Sequence, residues 1–318
     1  MILNKNMGIR YLNKFMRDNC RSIKQIHLSC LKNKSIAIDI SIYIYKFLAE
    51  NALYENIYLM ISIFRKYNIK PVFIFDGKPP TLKNETLEER KNVKKEAYKQ
   101  FENLKKTIDD VDKEYQQDIL DQMDNLKKKF LRVTNDQIQN VKNIMDNYGV
   151  SYCTAPGEAD ELCVKMVQKK KVFACLSEDT DMFVYGCTNV LRYFSLVNHT
   201  VILYNLDNIL KELNLTLYEF REICVASGTD YNIDKKTSLY KTLKYFDKFK
   251  KSNENNFYEW LDKNTNYLND IYNLYNIVNI FELSNYNFKD YENFKIEFNE
   301  INKKNLIDIL SKDNFIFV

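Results

Sequence analysis

Carboxylates are the side chains of this 318-residue chain whose types and spacing could do chemistry. Asp39 follows the apolar run Ile36–Ile38, Asp76 follows Val72–Phe75, and Asp179 and Asp181 follow Val172–Leu176 by a few residues. Glu158 and Asp160 come just after Ala155-Pro156-Gly157, where a segment of helical spacing begins. Asp230 lies in the turn Ser227-Gly228-Thr229-Asp230-Tyr231. Acids gathered at one place repel each other and need a counter-charge. Hard oxygen ligands with no His or Cys beside them favour Mg²⁺ or Mn²⁺ over zinc. Two such ions about 4 Å apart activate water and stabilise both oxygens of an in-line phosphoryl displacement. Taken singly, each acid is better explained as a helix cap or turn residue. The joint pattern is what points to metal-assisted phosphodiester chemistry.

Other chemistries find little material. The two histidines, His27 and His199, are far apart in sequence, so a Ser–His or Cys–His hydrolase has little support. The seven cysteines are dispersed with no Cys-x-x-Cys pair, which reads as reduced, mostly buried thiols rather than a zinc site or a disulfide framework. Hydrolysis must therefore run on carboxylates, lysines and arginines. The net charge is +4, from 47 basic and 43 acidic residues, and does not by itself indicate a nucleic-acid partner. Binding a phosphate backbone would require the positive charge to be clustered away from the acids. The apolar content of 45% fits a globular chain. The most hydrophobic stretch, 36–64, is broken by Asp39, Lys46, Glu50 and Glu55, so no membrane span is expected. Residues Met1–Asn6 lack the apolar core of a signal peptide. The weight of Asn, Lys, Ile and Tyr reads as codon bias from an AT-rich genome.

The acids need elements to position them. Short β-branched runs at 35–40, 71–76 and 171–176 read as buried strands, and 190–194 with 201–204 as an edge hairpin. Segments 43–67, 136–147 and 157–169 have helical spacing. This alternation predicts an α/β fold with a mostly parallel sheet flanked by helices. Ligands of such sheets bind beyond the carboxyl ends of the strands, where three runs deliver acids. Glu158 and Asp160, two apart, share a face only if Glu158 stays in the entry turn. Asp179 and Asp181 share a side if their segment is extended or a turn. Residues 82–135 interleave Lys with Glu and Asp and predict a solvated helical insertion, and 207–318 reads as mainly helical.

Six blocks resemble the flap endonuclease group of the 5′ nuclease (XPG-type) superfamily. They are Met7-Gly8-Ile9-Arg10-Tyr11-Leu12, Ala37-Ile38-Asp39-Ile40-Ser41, the stretch 69–80 containing Phe75-Asp76-Gly77-Lys78-Pro79-Pro80, Ala155-Pro156-Gly157-Glu158-Ala159-Asp160-Glu161, Ser177-Glu178-Asp179-Thr180-Asp181, and Ser227-Gly228-Thr229-Asp230-Tyr231. A weaker match lies near 296–310. The resemblance implies a PIN-like core with two Mg²⁺ ions, replaceable by Mn²⁺, held by the seven acids. It also implies cleavage of branched or flapped DNA with a free 5′ arm, in replication, repair or recombination. Lys83 and Arg90 match a pair set over the scissile phosphate, where cations offset charge developing on its oxygens. Tyr45 matches an aromatic on which a base stacks. The implied organisation is an N-terminal nuclease block at 7–110, a helical arch within 82–135, an internal nuclease block at 136–232, a helical DNA-binding region at 233–318, and an extension at 1–6. A monomer acting inside the cell is expected, in the nucleus or, for a viral member, the host cytoplasm. The alternatives are a mainly exonucleolytic or RNA-directed member, or a DNA-binding relative without catalysis.

The chain departs from the family pattern in three places. Six residues precede Met7, whereas members begin near the equivalent of Gly8. After Asp230 the family has a Gly-Ile-Gly hairpin that grips duplex DNA. Here 232–238 is shorter and lacks those glycines, which leaves Lys235, Lys236 and Thr237 as candidate DNA contacts. No sliding-clamp motif and no basic tail are found.

Overall fold

The computed structural model describes residues 8–78, 80, 83–107, 113–232, 237–268 and 270–311. Among the described residues the sheet has seven strands in the order β1-β7-β6-β5-β2-β3-β4. Strands β2 (Ser35–Asp39), β3 (Lys70–Phe75), β4 (Ser151–Thr154), β5 (Ala174–Leu176) and β6 (Asn189–Ser195) run parallel. Strands β7 (Thr200–Asn205) and β1 (Lys24–His27) are antiparallel additions. Alternation along each strand sends side chains to opposite faces. Ile36, Ile38, Phe73 and Phe75 enter one core, and Ala37, Val72, Ile74 and Cys175 the other. Burying one such aliphatic or aromatic side chain contributes about 1.5–3 kcal/mol.

Helices cover both faces, as the strand–helix rhythm implied. The first core packs α2 (Ile40–Ala49), α3 (Leu53–Lys66), α6 (Asn135–Tyr148) and α14 (Lys303–Ser311). The second packs α1 (Leu12–Asn19), α7 (Ala159–Gln168), α8 (Asp181–Val184) and α9 (Leu206–Leu213), together with α10 (Leu217–Ser227), α11 (Leu239–Phe249), α12 (Phe257–Asn264) and α13 (Ile271–Glu282). Their ends are written in the sequence. Thr134 with Gln137, and Thr216 with Glu219, form reciprocal capping boxes on α6 and α10, and Gly149 ends α6 in the left-handed region. The charged insertion forms α4 (Asn84–Thr107) and α5 (Lys113–Phe130), which meet where Phe130 packs edge-on against Tyr98 and Phe101. Among the described residues no helix is long and apolar enough to cross a membrane.

Three expectations need correction. The helical run 43–67 is two helices, because Asn51 turns the chain at φ 54° and the Ala52 amide bonds back to Phe47. The β6–β7 hairpin is not an edge, since β1 pairs outside β7. The stretch 171–176 is a strand only from Ala174, since Lys171–Phe173 form the turn that enters it. The far edge, β4, is covered by the C-terminal segment. Phe298 bridges Val150, the Asn299 amide donates to the Gly149 carbonyl at 2.8 Å, and Arg65 donates to the carbonyls of Tyr148 and Asn299.

Candidate active site

Strand order reverses between β2 and β5, since β3 and β4 build to one side and β5 and β6 to the other. A crevice at the carboxyl ends of such a pair is where open α/β sheets hold ligands. Asp39 is the last residue of β2 and also caps α2, its Oδ1 accepting the Ser41 amide at 3.1 Å. Asp76 follows β3. Its Oδ2 accepts the Ser41 hydroxyl at 2.6 Å and its Oδ1 the Ala159 amide at the start of α7 at 2.9 Å. Glu158 stays in extended conformation (φ −77°, ψ 145°) as the residue before α7, the entry turn its convergence with Asp160 required. Asp179 Oδ1 accepts the Asp181 amide at 2.8 Å, which folds the loop after β5 into the start of α8. Capping and site placement are therefore one job here. Helix N-termini carry partial positive charge, which favours acids at these positions.

The acids differ in what answers their charge. Glu158 is paired with Lys83 at 2.8 Å and accepts the Tyr231 hydroxyl at 3.2 Å. Asp230 is paired with Arg90 at 2.6 Å, and Thr86 donates to its backbone carbonyl. Burial is a drain on Lys83's charge, but Glu158, Tyr231 and Asp181 together hold its pKa above the ordinary lysine value. Among the described residues no cation touches Asp39, Asp160, Asp179 or Asp181, and burial pushes the carboxyl pKa of each upward. Mutual repulsion adds to this, from Asp76 and Asp179 on Asp39, from Asp39 and Asp179 on Asp160, from Asp230 on Asp179, and from Asp179 and Asp230 on Asp181. Both carboxylate oxygens of Asp181, one of Asp160 and the Thr180 hydroxyl are buried with no hydrogen-bond partner among the described residues.

A buried, unpaired charge costs several kcal/mol, so these oxygens must be protonated or met by a cation from outside. Among the described residues no three His, Cys, Asp or Glu side chains form a group able to hold a metal ion alone. An open set of oxygens suits a hard divalent ion that keeps several waters and takes only one or two carboxylates directly. The chemistry of the donor set therefore fits a hard divalent cation.

Several contributors carried no sequence signal of their own. Gly8 sits at φ 67°, and a Cβ there would lie 2.3 Å from the Thr180 hydroxyl and 2.4 Å and 2.8 Å from oxygens of Asp179 and Asp181. Only glycine lets the chain pass so close to the acids. Ser41 links Asp39 to Asp76, Ser177 reaches Asp39 at 3.4 Å, and Tyr231 lies under Lys83, whose Nζ is 4.6 Å from its ring centre. Arg192, buried, donates to the Glu178 carbonyl at 2.6 Å and to Asn13 on α1, which ties the loop after β5 to the helix that follows Gly8. Ser41 and Tyr231 lie inside the matched blocks, but only the fold reveals what they touch.

Of the remaining expected residues, Tyr45 lines a cleft together with Ser41 and Asp76. Tyr45 is half-exposed on α2, one turn beyond Ser41, with the Lys94 ammonium 5.3 Å from its ring centre. Thr237 donates to the Ser227 carbonyl at the end of α10. Lys235 and Lys236 lie outside the described residues.

The XPG N-terminal domain family matches residues 7–97 and the XPG I-region residues 149–230. The chain is 30% identical over 243 residues to flap endonuclease 1 of Encephalitozoon cuniculi, covering 71% of this chain and 68% of that protein. It is 29% identical over 228 residues to flap endonuclease 1 of Methanococcus aeolicus, covering 66% of each chain, and 31% identical over 249 residues to that of Lodderomyces elongisporus, covering 71% and 61%. The chain thus belongs to the flap endonuclease family of XPG-type 5′ nucleases. It spans slightly under two thirds of the length of the first two of those curated relatives by similarity, 66% and 61%. The fold is that of the catalytic core of Rad2 in complex with DNA substrate (TM-score 0.68, 22% identical, covering 96% of this chain and 95% of that one). It is also that of flap endonuclease-1 from Methanococcus jannaschii (TM-score 0.62, 20% identical, covering 96% and 93%).

Proposed function

We propose that this protein is a structure-specific 5′ nuclease that cleaves phosphodiester bonds at 5′ single-stranded arms of branched DNA and trims 5′ ends exonucleolytically. The observation that carries the reading is the group of buried, unpartnered carboxylate oxygens at the topological switch of the sheet, with two cations poised at its rim. Its curated relatives are flap endonucleases, and Rad2 of the same fold was captured on DNA. Asp39, Asp76, Glu158, Asp160, Asp179, Asp181 and Asp230 would hold two Mg²⁺ ions, with Mn²⁺ able to substitute. When bound, these ions supply a hydroxide-like nucleophile and Lewis-acid stabilisation of the departing oxygen.

The protein's own residues do the rest. Lys83 and Arg90, now paired with Glu158 and Asp230, exchange those partners for the scissile phosphate and offset charge developing on its oxygens. Tyr45 offers a stacking face to an unpaired base, a contact indifferent to sequence. Blocks 7–110 and 136–232 form the nuclease, with the helices within 82–135 as an arch over the 5′ arm. Region 233–318, with Lys235, Lys236 and Thr237, grips the duplex. The protein works as a monomer inside the cell.

The test is a substrate panel of 5′-flap, nicked, blunt and RNA–DNA duplexes, labelled and incubated with Mg²⁺ or with EDTA. Metal-dependent cleavage of the flap, absent in Asp179→Ala, is expected. An equal lack of product from wild type and Asp179→Ala refutes enzymatic function, and preference for blunt or RNA-containing ends moves the assignment within the superfamily.

A further inference from the structure

The chain's two histidines, far apart in sequence, meet on one side chain. His27 is the last residue of β1, His199 lies in the turn between β6 and β7, and Tyr67 follows the end of α3. The Tyr67 hydroxyl oxygen is 2.8 Å from His199 Nδ1 and 3.4 Å from His27 Nε2. Its ring meets both imidazoles edge-on, at 5.2 Å and 5.6 Å between centres, and the imidazole centres are 6.4 Å apart. The backbone holds this arrangement, because the Leu28 amide donates to the His199 carbonyl at 2.9 Å and His27 pairs with Thr200 in the sheet. His27 is exposed and the other two are half-buried, so an ion from solvent can reach all three. The chemistry proposed above uses none of them.

Hydrogen bonds fix where the lone pairs point. The Ser29 amide can only donate, and it donates to His27 Nδ1 at 3.2 Å, so the neutral ring carries its proton on Nε2 and turns it toward Tyr67. The Tyr67 hydroxyl then gives its own proton to His199 Nδ1. Two ring nitrogens and one phenolic oxygen therefore face a common point. A tetrahedral ion with bonds of about 2.0–2.1 Å sets its ligand atoms about 3.3 Å apart, and the observed 2.8 Å and 3.4 Å lie on either side of that spacing. On loading, the His27 proton moves from Nε2 to Nδ1, where the Ser29 hydroxyl oxygen, 2.8 Å away, accepts it as the outer partner that metal-bound imidazoles need. The Tyr67 proton leaves to solvent, and the Lys66 ammonium, 5.6 Å from the centre of that ring, favours the phenolate. Burial, then Lys66 and His27, lower the His199 pKa, so this ring is neutral and able to ligate at neutral pH.

We propose that His27, His199 and Tyr67 form a transition-metal site of the Zn²⁺ class, which shares no residue with the carboxylate edge and leaves its fourth position to solvent. Imidazole donors suit Zn²⁺, Cu²⁺ or Ni²⁺, whereas Mg²⁺ prefers oxygen, so the chain sorts metals between two places. The bound ion ties β1 to α3 and to the β6–β7 turn. That tie matters for β1, whose four residues include three exposed ones and so gain little from burial.

The test uses the two imidazoles as reporters. Each gives its own signals in a long-range proton–nitrogen correlation spectrum of histidine-labelled protein, which also reads the tautomer. Zn²⁺ is diamagnetic and shifts only the rings it touches, and saturating Mg²⁺ competes for the carboxylates. Titration with Zn²⁺ should shift both rings together in one saturable step, with His27 passing to the Nδ1–H tautomer. His27→Gln should abolish the response of His199, and His199→Gln that of His27, with circular dichroism confirming that both variants fold. Tyr67→Phe should weaken Zn²⁺ binding at least about tenfold, the smallest loss expected even for an outer partner. Rings that ignore Zn²⁺, a shift confined to one ring, a persisting response in either His→Gln variant, or an equal response to Mg²⁺ alone overturns the site. Unchanged Zn²⁺ affinity in Tyr67→Phe overturns the three-donor assignment.

Discussion

The acid-lined edge of the sheet has two regions with opposite electrostatics. At its floor, under the turn at Gly8, Asp39, Asp160, Asp179 and Asp181 crowd together with no cation in contact among the described residues, and oxygens of Asp160 and Asp181 are left unbonded. At its rim, under the start of α4, Glu158 and Asp230 each hold a lysine or arginine, while Asp76 is answered by a hydroxyl and a backbone amide. The protein neutralises the rim with its own side chains and leaves oxygens of the floor unanswered. The same chemical group thus serves two purposes according to its neighbours. A phosphate arriving at the rim would replace one carboxylate with another partner of like charge. Floor acids have no such alternative.

If the division is correct, damage to the floor should exceed damage to the rim. Asp181→Asn should reduce kcat on flap DNA by more than the factor of about 100 that bounds loss of an outer-sphere partner, and extra Mg²⁺ should not restore it. Lys83→Met, at the rim, should lower kcat by about a hundredfold with little change in KM, the signature of an interaction made in the transition state. Comparable losses with an altered Mg²⁺ requirement in Lys83→Met would break the distinction.

Gly8→Ala probes the floor from its roof. Its Cβ must displace oxygens of Thr180, Asp179 or Asp181, so a kcat loss of about 10–100-fold is expected, as when ligand orientation is disturbed. Thermal unfolding sharpens the contrast further. The floor carboxyls have folded-state pKa values raised above 3.8, so the folded state binds more protons than the unfolded one above that value. Without metal, stability should fall as pH rises from there through the raised pKa values. Mg²⁺ at a hundredfold excess over its Kd should offset this by about 2.7 kcal/mol.

The smallest effect lies away from the edge. Glu222, buried on α10, has its carboxyl pKa pushed from 4.5 up to about 7 by burial and by Glu219. Its contribution to stability is present below about 4.5 and lost as pH rises through about 7. Glu222→Gln should flatten unfolding curves over that window and leave cleavage at neutral pH unchanged. A change in Mg²⁺ response would instead tie Glu222 to the floor.

The central sheet was legible because its strands are buried on both faces and read as unbroken apolar runs, as at Ile36–Ile38 and Val72–Phe75. The edge strands were not. Lys24–His27 is mostly exposed and Ser151–Thr154 half-exposed, so neither carries an apolar run, and pairing alone makes them strands. Acids at strand ends were visible for the same reason as the strands themselves. Their partners were hidden because they come from long range. Tyr231 reaches Glu158 across 73 residues, and Arg192 reaches Asn13 across 179. No window of sequence holds both members of such pairs. Gly8 was visible as part of a block, but its steric role exists only where a separate loop passes within a Cβ's reach.

The segment that bridges Val150 at Phe298 has a consequence beyond the fold of one molecule. A parallel sheet ending at β4 would present a row of free amides and carbonyls, a template on which another copy could add a strand. Phe298 and Asn299 occupy part of that row, Arg65 fastens them, and α14 anchors the segment against α6. These residues therefore cover part of an edge on which a second copy could otherwise pair. Their loss would be felt first in the concentration at which the protein stays in solution.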